Sequence, residues 1–295
     1  EADLIIAVGA RFSDRVTGKL DTFAPNAKII HIDIDAAEIG KNVKTHIPIV
    51  GDVKKALSEL ITRVQPVEGY GEWHHTIDRW KDEYPLTYSA SEQDGYIRPQ
   101  YVIEQISDLT QGDAIVTTEV GQHQMWTAQF YKFKHPRTFI TSGGLGTMGY
   151  GLPAAIGAKV GRPDKLVIDI SGDGSFQMNV QEMATAVEQR LPIVICILNN
   201  GYLGMVRQWQ QLFFNGRYSY TDMKGQPDFV KLAEAYGAVG MRINKESQVA
   251  EALKTAFTVT DRPVVIDFLV EPEANVFPMV APGDSLTNMM GGDDI

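Results

Sequence analysis

Short apolar runs rich in valine and isoleucine alternate with amphipathic stretches along most of this 295-residue sequence. Residues 167–170 and 193–198 are almost continuously apolar, without the alternation expected of a strand that has one face in water. Strands of a parallel sheet that is covered by helices on both faces have this pattern. Because strand and helix patterns alternate so often, we predict an α/β fold with doubly wound parallel sheets.

The same pattern predicts where the individual elements lie. The predicted strands are 4–8, 28–34, 47–50, 114–118, 137–141, 166–171, 193–199, 238–243 and 264–270. The predicted helices are 53–64, 72–84, 99–109, 121–130, 150–160, 180–189, 203–214, 228–236 and 246–259. A polar stretch with prolines and glycines interrupts this order once. We therefore predict four regions: the C-terminal part of one α/β domain at 1–65, a linker at 66–95, a complete α/β domain at 96–270 and a C-terminal tail at 271–295.

Composition and charge exclude several classes of protein. The chain has 27 lysines and arginines against 37 acidic residues, and it has no basic cluster that suits the phosphates of nucleic acid. No apolar run approaches the roughly 18 residues of a membrane span. Cys196 is the single cysteine and lies in an apolar run, so we expect a buried thiol in a reducing compartment. The sequence starts at Glu1, directly before a strand, and we expect it to be part of a longer protein.

Polar residues follow two of the predicted strands. The segment 172–175, Gly-Asp-Gly-Ser, comes after one strand, and Asn199-Asn200 ends the next. One strand–helix–strand crossover separates Asp173 from Asn200, so both are expected at the same edge of one sheet. A carboxylate and an amide oxygen there suit Mg²⁺, whose coordination is usually completed by phosphate and water. The alternative is that Asp173 caps a helix and the asparagines form a turn.

A second motif supports a different hypothesis. Residues 144–149 match the G-x-G-x-x-G pattern of dinucleotide-binding Rossmann folds, with Asp169 at about the spacing of the ribose-binding acid. However, Asp169 lies inside its predicted strand rather than at the tip. This hypothesis also leaves residues 172–175 and the two asparagines without a role, so we favour the metal–phosphate interpretation.

The Gly-Asp-Gly segment followed by Asn-Asn resembles the fingerprint of thiamine-diphosphate enzymes. Longer segments narrow the resemblance to the large subunit of acetohydroxyacid synthase (acetolactate synthase), and they cover nearly the whole chain. These segments are 9–18, 31–35, 142–153, 204–209 and 278–283. The resemblance implies a thiamine-diphosphate-binding fold preceded by part of a central, FAD-binding α/β domain.

The resemblance also implies a cofactor site. Asp173, Asn200 and the backbone carbonyl of Tyr202 would hold Mg²⁺ against the diphosphate. Gln122, His123, Gly174 and Ser175 would donate hydrogen bonds to the diphosphate. Met148 would force the bent cofactor shape, and the Gly146 carbonyl would accept from the cofactor's amino group. The full set of thiamine-diphosphate residues implied is Gln122, His123, Gly146, Met148, Gly172, Asp173, Gly174, Ser175, Asn200 and Tyr202.

Two further residue sets follow from the same resemblance. Met205 and Trp209 would border the pocket for the second 2-keto acid; the alternative is a helix that buries both in its core, and Arg207 between them is expected at the surface or in a salt bridge. The loops after the first strands would bind FAD; the alternative is ordinary turns with helix-capping acids. The FAD residues implied are Gly9, Arg11, Arg15, Val16, Asp33, Ile34, Asp52 and Val53.

The family decarboxylates pyruvate and joins the product to a second pyruvate or to 2-ketobutyrate, in branched-chain amino-acid biosynthesis. Its proton-relay glutamate lies on an N-terminal domain, so we expect no catalytic residue in this chain and no activity of the chain alone. The resemblance implies a homo-oligomer, at least a dimer, with a regulatory small subunit, in the cytoplasm or in an organelle of a eukaryote. We expect neither nucleic-acid nor membrane partners. Two alternatives remain: another thiamine-diphosphate oxidase, decarboxylase or carboligase, and a catalytically inert nucleotide-binding module.

Overall fold

The computed structural model describes residues 1–66, 68–91 and 93–291. The chain divides into two compact units, one formed by Glu1–Thr87 with Phe277–Ile295 and the other by Tyr88–Val276. We refer to them as unit 1 and unit 2. Among the described residues, none of the helices combines the length and apolar character that a membrane span requires.

Unit 1 contains a three-stranded parallel sheet with the strand order β1-β2-β3. Its strands are β1 (Leu4–Val8), β2 (Lys28–Asp33) and β3 (Ile47–Val50), and its α-helices are α1 (Asp14–Thr17), α2 (Val53–Ile61) and α3 (Gly71–Glu83). A small core of Ala7, Phe12 and Ile29 lies against the sheet. The sheet is only partly covered, since Leu4, Ile6 and Val8 are each more than 40% exposed.

Unit 2 is built on a six-stranded parallel sheet with the order β5-β4-β6-β7-β9-β8. Its strands are β4 (Ile115–Thr118), β5 (Phe139–Thr141), β6 (Val167–Gly172), β7 (Ile193–Asn199), β8 (Val239–Ile243) and β9 (Val264–Leu269). Its helices are α4 (Pro99–Thr110), α5 (Gln122–Phe130), α6 (Gly151–Gly161), α7 (Asp173–Phe176), α8 (Met183–Glu188), α9 (Gly204–Phe213), α10 (Phe229–Tyr236) and α11 (Glu246–Phe257). The predicted doubly wound parallel α/β class is confirmed.

Successive residues of the central strands pack on opposite faces of this sheet. Val116 and Ile168 belong to the hydrophobic cluster on one face, whereas Ile115 and Val167 belong to the cluster on the other. This explains the continuous apolar runs in the sequence, because both faces are covered. The strand order reverses between β4 and β6, and in open α/β sheets ligands bind outside the carboxyl ends of the strands at such a point.

Cys196 lies in the middle of β7 and is completely buried in one of these clusters. Burial, reinforced by the nearby Asp169, raises the pKa of the Cys196 thiol far above its ordinary range. The expectation of a buried cysteine is confirmed.

The boundary between the two compact units falls at residues 87 and 88, inside the predicted linker 66–95, and the helix predicted at 72–84 occurs there as α3. The predicted tail is divided, since residues 271–276 belong to unit 2 and the following residues to unit 1. The predicted helix 180–189 is α-helical only from Met183, after a 3₁₀ stretch at Gln177–Glu182. Positions 67, 92 and 292–295, which the linker and tail predictions include, lie outside the described residues.

Candidate functional site

A cavity lies at the carboxyl ends of the central strands of unit 2. Nine of the ten residues predicted for the cofactor line it together: Gln122, His123, Met148, Gly172, Asp173, Gly174, Ser175, Asn200 and Tyr202. Gly146, the tenth, is not among the lining residues; it lies in the loop before α6, where its N–H donates to the Ser142 carbonyl. The topology therefore brings together side chains that are widely separated in sequence.

Asp173 and Asn200 are both buried at this cavity, 1% and 8% exposed. Asp173 Oδ2 accepts from the Gly201 N–H at 3.0 Å, and Asn200 Oδ1 accepts from the Tyr202 N–H at 3.0 Å. Burial raises the pKa of Asp173 to about 7, and none of the ion pairs in the described part of the chain includes it. A buried carboxylate beside an amide oxygen, without a cationic side chain, has the donor chemistry that a divalent cation requires.

His123 lies in the first turn of α5 and is 5% exposed. Burial lowers the pKa of its imidazole to about 3, so the ring is neutral at physiological pH. Its Nε2 is buried and has no hydrogen-bond partner among the described residues. A Cβ atom at Gly172 would lie 2.7 Å from the ring, so the imidazole packs where only a glycine leaves space. In the neutral tautomer that carries its proton on Nε2, this ring nitrogen can donate to a ligand acceptor such as a phosphate oxygen.

Gln122 organises the amide groups beside the cavity. Its Nε2 donates to Gln208 Oε1 and to the Ala274 carbonyl, both at 2.9 Å, and its Oε1 accepts from Asn200 Nδ2 at 3.2 Å. Both side-chain amide hydrogens are thus used within the protein, and donation by Gln122 to a diphosphate, which the resemblance implies, stays a prediction. The contact with Asn200 keeps the oxygen of that amide away from Gln122.

Two buried acids lie behind the cavity; Glu119 was missed in the sequence, and Asp169 was considered only for a dinucleotide site. Glu119 follows β4 directly and Asp169 lies within β6, and both side chains are inaccessible to solvent. Burial raises the pKa of each carboxyl, and the negative charge of Glu119 raises the pKa of Asp169 further. The signal was available for Glu119, because it stands at a strand end just as Asp173 does.

Helix α9 buries two polar side chains, Arg207 and Gln208, and leaves the apolar Val206 half exposed. Arg207 is 1% exposed, and its guanidinium donates to the carbonyls of Glu273 and Ala274 and to the Asn275 side chain. The expectation of a surface or salt-bridged Arg207 was therefore wrong, since the carbonyls of the 273–274 turn provide buried acceptors that no sequence pattern indicates.

The outer side of α9 borders a second cavity, of about 540 Å³. Its lining is mostly apolar and consists of Met205, Val206, Trp209, Gln210, Phe214 and Arg217. Trp209 is only half-buried and contacts Phe213 edge to face, with ring centroids 5.5 Å apart. The cavity therefore contains both residues predicted for the second substrate, and Trp209 is not a core residue.

The eight residues predicted for FAD lie after the carboxyl ends of the three strands of unit 1. Val16 and Ile34 are 50% and 70% exposed, and Arg15 pairs with the adjacent Asp14 at the surface. Gly9 is in the left-handed region, φ 63°, and Arg11 is exposed. Two of the eight side chains accept hydrogen bonds from nearby backbone groups: Asp33 accepts from the Asp35 N–H, and Asp52 caps α2 by accepting from the Lys55 N–H. Val53 is the first residue of α2. This capping matches the alternative interpretation for Asp52.

Comparison with known proteins agrees with this geometry. Residues 119–268 match the family described as "Thiamine pyrophosphate enzyme, C-terminal TPP binding domain", and residues 1–60 match the central domain of the same enzymes. The chain is 52% identical over 293 residues to "Acetolactate synthase" of Mycobacterium leprae, which covers 96% of the chain and 47% of the relative. It is 51% identical over 292 residues to the "Acetolactate synthase large subunit" of Corynebacterium glutamicum, with 96% and 46% covered. It is 50% identical over 297 residues to that of Porphyra purpurea, with 99% and 50% covered.

The chain thus spans about half the length of the curated relatives that it matches. The two domain models occur in it in sequence order, and the C-terminal model alone matches half of the chain. Its match begins at Glu119 and includes the strand-end segments that line the first cavity. The chain therefore belongs to the thiamine pyrophosphate enzymes.

Proposed function

We propose that this chain is part of the catalytic subunit of an acetolactate synthase, which decarboxylates pyruvate and joins the product to a second pyruvate or 2-ketobutyrate. One observation carries the proposal: the cavity at the ends of β4, β6 and β7 joins the buried acid Asp173, the amide of Asn200 and the unpartnered Nε2 of His123. The acetolactate synthases at about 50% identity support this choice over other thiamine-diphosphate enzymes.

In this proposal Mg²⁺ binds between the chain and the diphosphate. Asp173, the amide oxygen of Asn200 and the Tyr202 carbonyl are the oxygen donors, as Mg²⁺ prefers. The contact between Asn200 and Gln122 favours the amide orientation that leaves the oxygen for the metal. With the imidazole proton on Nε2, His123 donates to a phosphate oxygen, and a bound anion would satisfy a nitrogen that has no other partner among the described residues.

Thiamine diphosphate, when bound, supplies the electron sink that decarboxylation of a 2-keto acid requires. The chain's own residues bury the diphosphate end, fix its orientation and exclude water around it. Met148 lines the same cavity and suits contact with the ring portion of the cofactor. The proton-relay glutamate is proposed to lie outside this chain, so we expect the chain alone to be inactive.

The cavity beside α9 is proposed to receive the second 2-keto acid. Met205 and Trp209 provide apolar surface for the alkyl group, and Arg217 on the same lining provides a cation for the carboxylate. Because α9 leaves Val206 and Trp209 partly exposed, a small apolar ligand would cover surface that the fold leaves in water.

Further features of the whole protein are proposed from the relatives. The strand-end loops of unit 1 would bind FAD, and the intact protein would be a homo-oligomer with a regulatory small subunit, as the name "large subunit" implies for the relative from Corynebacterium glutamicum. We propose a cytoplasmic location, or an organelle if the source is eukaryotic.

The intact protein tests this function through its cofactor. Thiamine diphosphate with Mg²⁺, at about 100 times the dissociation constant, should raise the free energy of unfolding by about 2.7 kcal/mol. Asp173→Asn should abolish most of that gain. The matched control is Asp228→Asn, which removes a capping carboxylate of α10 in the same unit and should keep the gain.

Activity provides the second measurement. The intact protein with thiamine diphosphate, Mg²⁺ and FAD should form acetolactate from pyruvate. Equal stabilisation of wild type and Asp173→Asn would contradict the proposed metal site, whereas acetaldehyde as the main product would indicate a decarboxylase instead.

A further inference from the structure

Glu119 bonds two segments that both reach the cofactor cavity. Its Oε2 accepts from the Gly149 N–H at 2.6 Å and from the Ser175 hydroxyl at 2.8 Å, and its Oε1 accepts from the Leu152 N–H at 3.2 Å. Gly149 directly follows Met148, and Ser175 lies two residues after Asp173. One carboxylate therefore connects the segment that carries Met148 to the segment that carries the proposed metal ligand.

We propose that Glu119 is a positioning residue of the thiamine diphosphate site, acting as an ionised carboxylate that keeps these two segments at a fixed separation while its neighbour Asp169 holds a proton. The proposal rests on the proposed function. It assigns a role to an acid that lies behind the cavity rather than in it, since Glu119 is not among the lining residues.

The hydrogen-bond partners decide which acid is ionised. Backbone N–H groups donate only, so the two that reach Glu119 require oxygens that accept. The hydroxyls of Thr117 and Ser171 contact Asp169. A hydroxyl can rotate and accept a hydrogen bond from a protonated carboxyl instead of donating one. Two buried neighbouring carboxyls do not both ionise at low cost, so one proton is retained and Asp169 is the site that accommodates it.

Two titratable side chains next to this pair are uncharged at neutral pH. Burial lowers the pKa of His123 on α5 to about 3 and raises the pKa of Cys196 on β7 far above its ordinary range. A Cβ atom at Gly151 would lie 2.4 Å from Asp169 Oδ1 and 2.5 Å from the Glu119 backbone nitrogen. Helix α6 therefore begins directly against both acids, and little space remains for a water molecule to replace a lost carboxylate.

Glu119 also fixes the hydroxyl of Ser175. The single hydroxyl proton is donated to Glu119, while Ser175 Oγ accepts from the Val120 N–H at 3.3 Å. The hydroxyl thus has no proton left for a ligand, so the predicted donation from Ser175 to the diphosphate would come from its backbone N–H.

The test is the dissociation constant of thiamine diphosphate at saturating Mg²⁺, measured on the intact protein by tryptophan fluorescence. Glu119→Gln keeps the shape of the side chain but directs its amide N–H toward groups that also donate. We expect it to weaken thiamine diphosphate binding at least about tenfold. Asp169→Asn is the matched control: the same isosteric change in the protonated neighbour should leave affinity within about threefold and should reduce any loss of affinity from neutral to alkaline pH.

A double-mutant cycle separates positioning from a purely structural role. If Glu119 acts through the Met148 segment, Met148→Ala should cost less affinity in the Glu119→Gln background than in wild type. Additive effects, unchanged affinity in Glu119→Gln, or an equal loss in Asp169→Asn would overturn the proposal.

If Glu119→Gln shows no cooperative melting, Glu119→Asp is measured instead. This variant keeps the charge but has a shorter side chain, and its affinity for thiamine diphosphate should also fall. Absence of binding by wild type would count against the proposed function, whereas equal binding by wild type and both Glu119 variants would count against this inference alone.

Discussion

The two units bury their parallel sheets to very different extents. Every residue of β4, β6 and β7 in unit 2 is buried, whereas β1 of unit 1 has three residues more than 40% exposed and β3 has Ile47 and Val50 more than half exposed. In unit 2 the polar residues at the strand ends are buried with the strands, and hydrogen bonds fix them. In unit 1 the residues at the strand ends are largely in water.

The two proposed cofactor sites therefore differ in how far the protein orders them without a ligand. In unit 2, hydrogen bonds within the protein already fix Asp173, Asn200 and Glu119, and burial shifts the pKa values of Asp173 and Glu119 upward. The FAD residues proposed in unit 1, such as Arg11 and Arg15, are exposed side chains that a ligand must order.

The largest expected difference between the two units is in the stability that a buried and an exposed histidine cost in acid. The folded state holds His123 with a pKa of about 3 against 6.5 in an unfolded chain, so the unfolded state takes up the proton first. Stability that is present above pH 6.5 is therefore lost as the pH falls through that value, by about 3 kcal/mol at pH 4. His123→Asn should lose less stability between pH 7 and 4, as measured by denaturant unfolding.

The control for this prediction is His75→Asn, a change of an exposed histidine on α3 of unit 1, which should follow wild type. The buried acids with raised pKa values contribute the opposite slope, but they are present in each protein and cancel in the difference. Identical acid profiles for wild type and His123→Asn would mean that the imidazole is hydrated and that the site of unit 2 is less closed than proposed.

A pair of glycine substitutions tests whether unit 2 is packed more tightly than unit 1. Gly151→Ala places a Cβ atom 2.5 Å from the Glu119 nitrogen, and the free energy of unfolding should fall by about 3 kcal/mol, the upper range for overpacking. Gly51→Ala in unit 1 meets no atom within 4 Å and should change stability by less than about 1 kcal/mol. Chemical denaturation gives the free energy of unfolding of both variants. Equal losses of stability would contradict the difference in packing between the two units.

The smallest effect is expected at the proposed FAD loops. Arg15 pairs with Asp14 at the surface, and an exposed guanidinium contributes less than about 1 kcal/mol, or about fivefold in affinity. Arg15→Ala should therefore weaken FAD binding by no more than that in a flavin fluorescence titration, with Asp173→Asn as the unchanged reference. A hundredfold loss would show that Arg15 is held as firmly as the residues of unit 2.

The sequence predicted the strands well because both-sided burial leaves a strong apolar signal. All nine strands occur within two residues of their predicted limits, including the short β3. Asp173 and Asn200 were predicted to meet because topology alone brings the ends of β6 and β7 together. Helix ends were predicted less accurately, as for α8, because the 3₁₀ stretch before it has the same apolar pattern.

The failures have a common physical origin in contacts that are distant in sequence. Arg207 was predicted at the surface, but backbone carbonyls of residues 273 and 274 satisfy its guanidinium inside unit 2. The hydrogen bonds of the Gln122 side chain are equally invisible in the sequence, since its partners Gln208 and Ala274 are far along the chain. Partners of this kind become visible only when the fold is known.

The burial of Cys196 has a practical consequence. Alkylating reagents react with the thiolate, and a thiol enclosed in β7 with a raised pKa stays unreactive until that strand leaves the sheet. These 295 residues contain one cysteine, so a pulse of reagent labels the chain only when unit 2 opens. Unit 1 contributes no label, and the rate of alkylation therefore measures the opening of unit 2 alone.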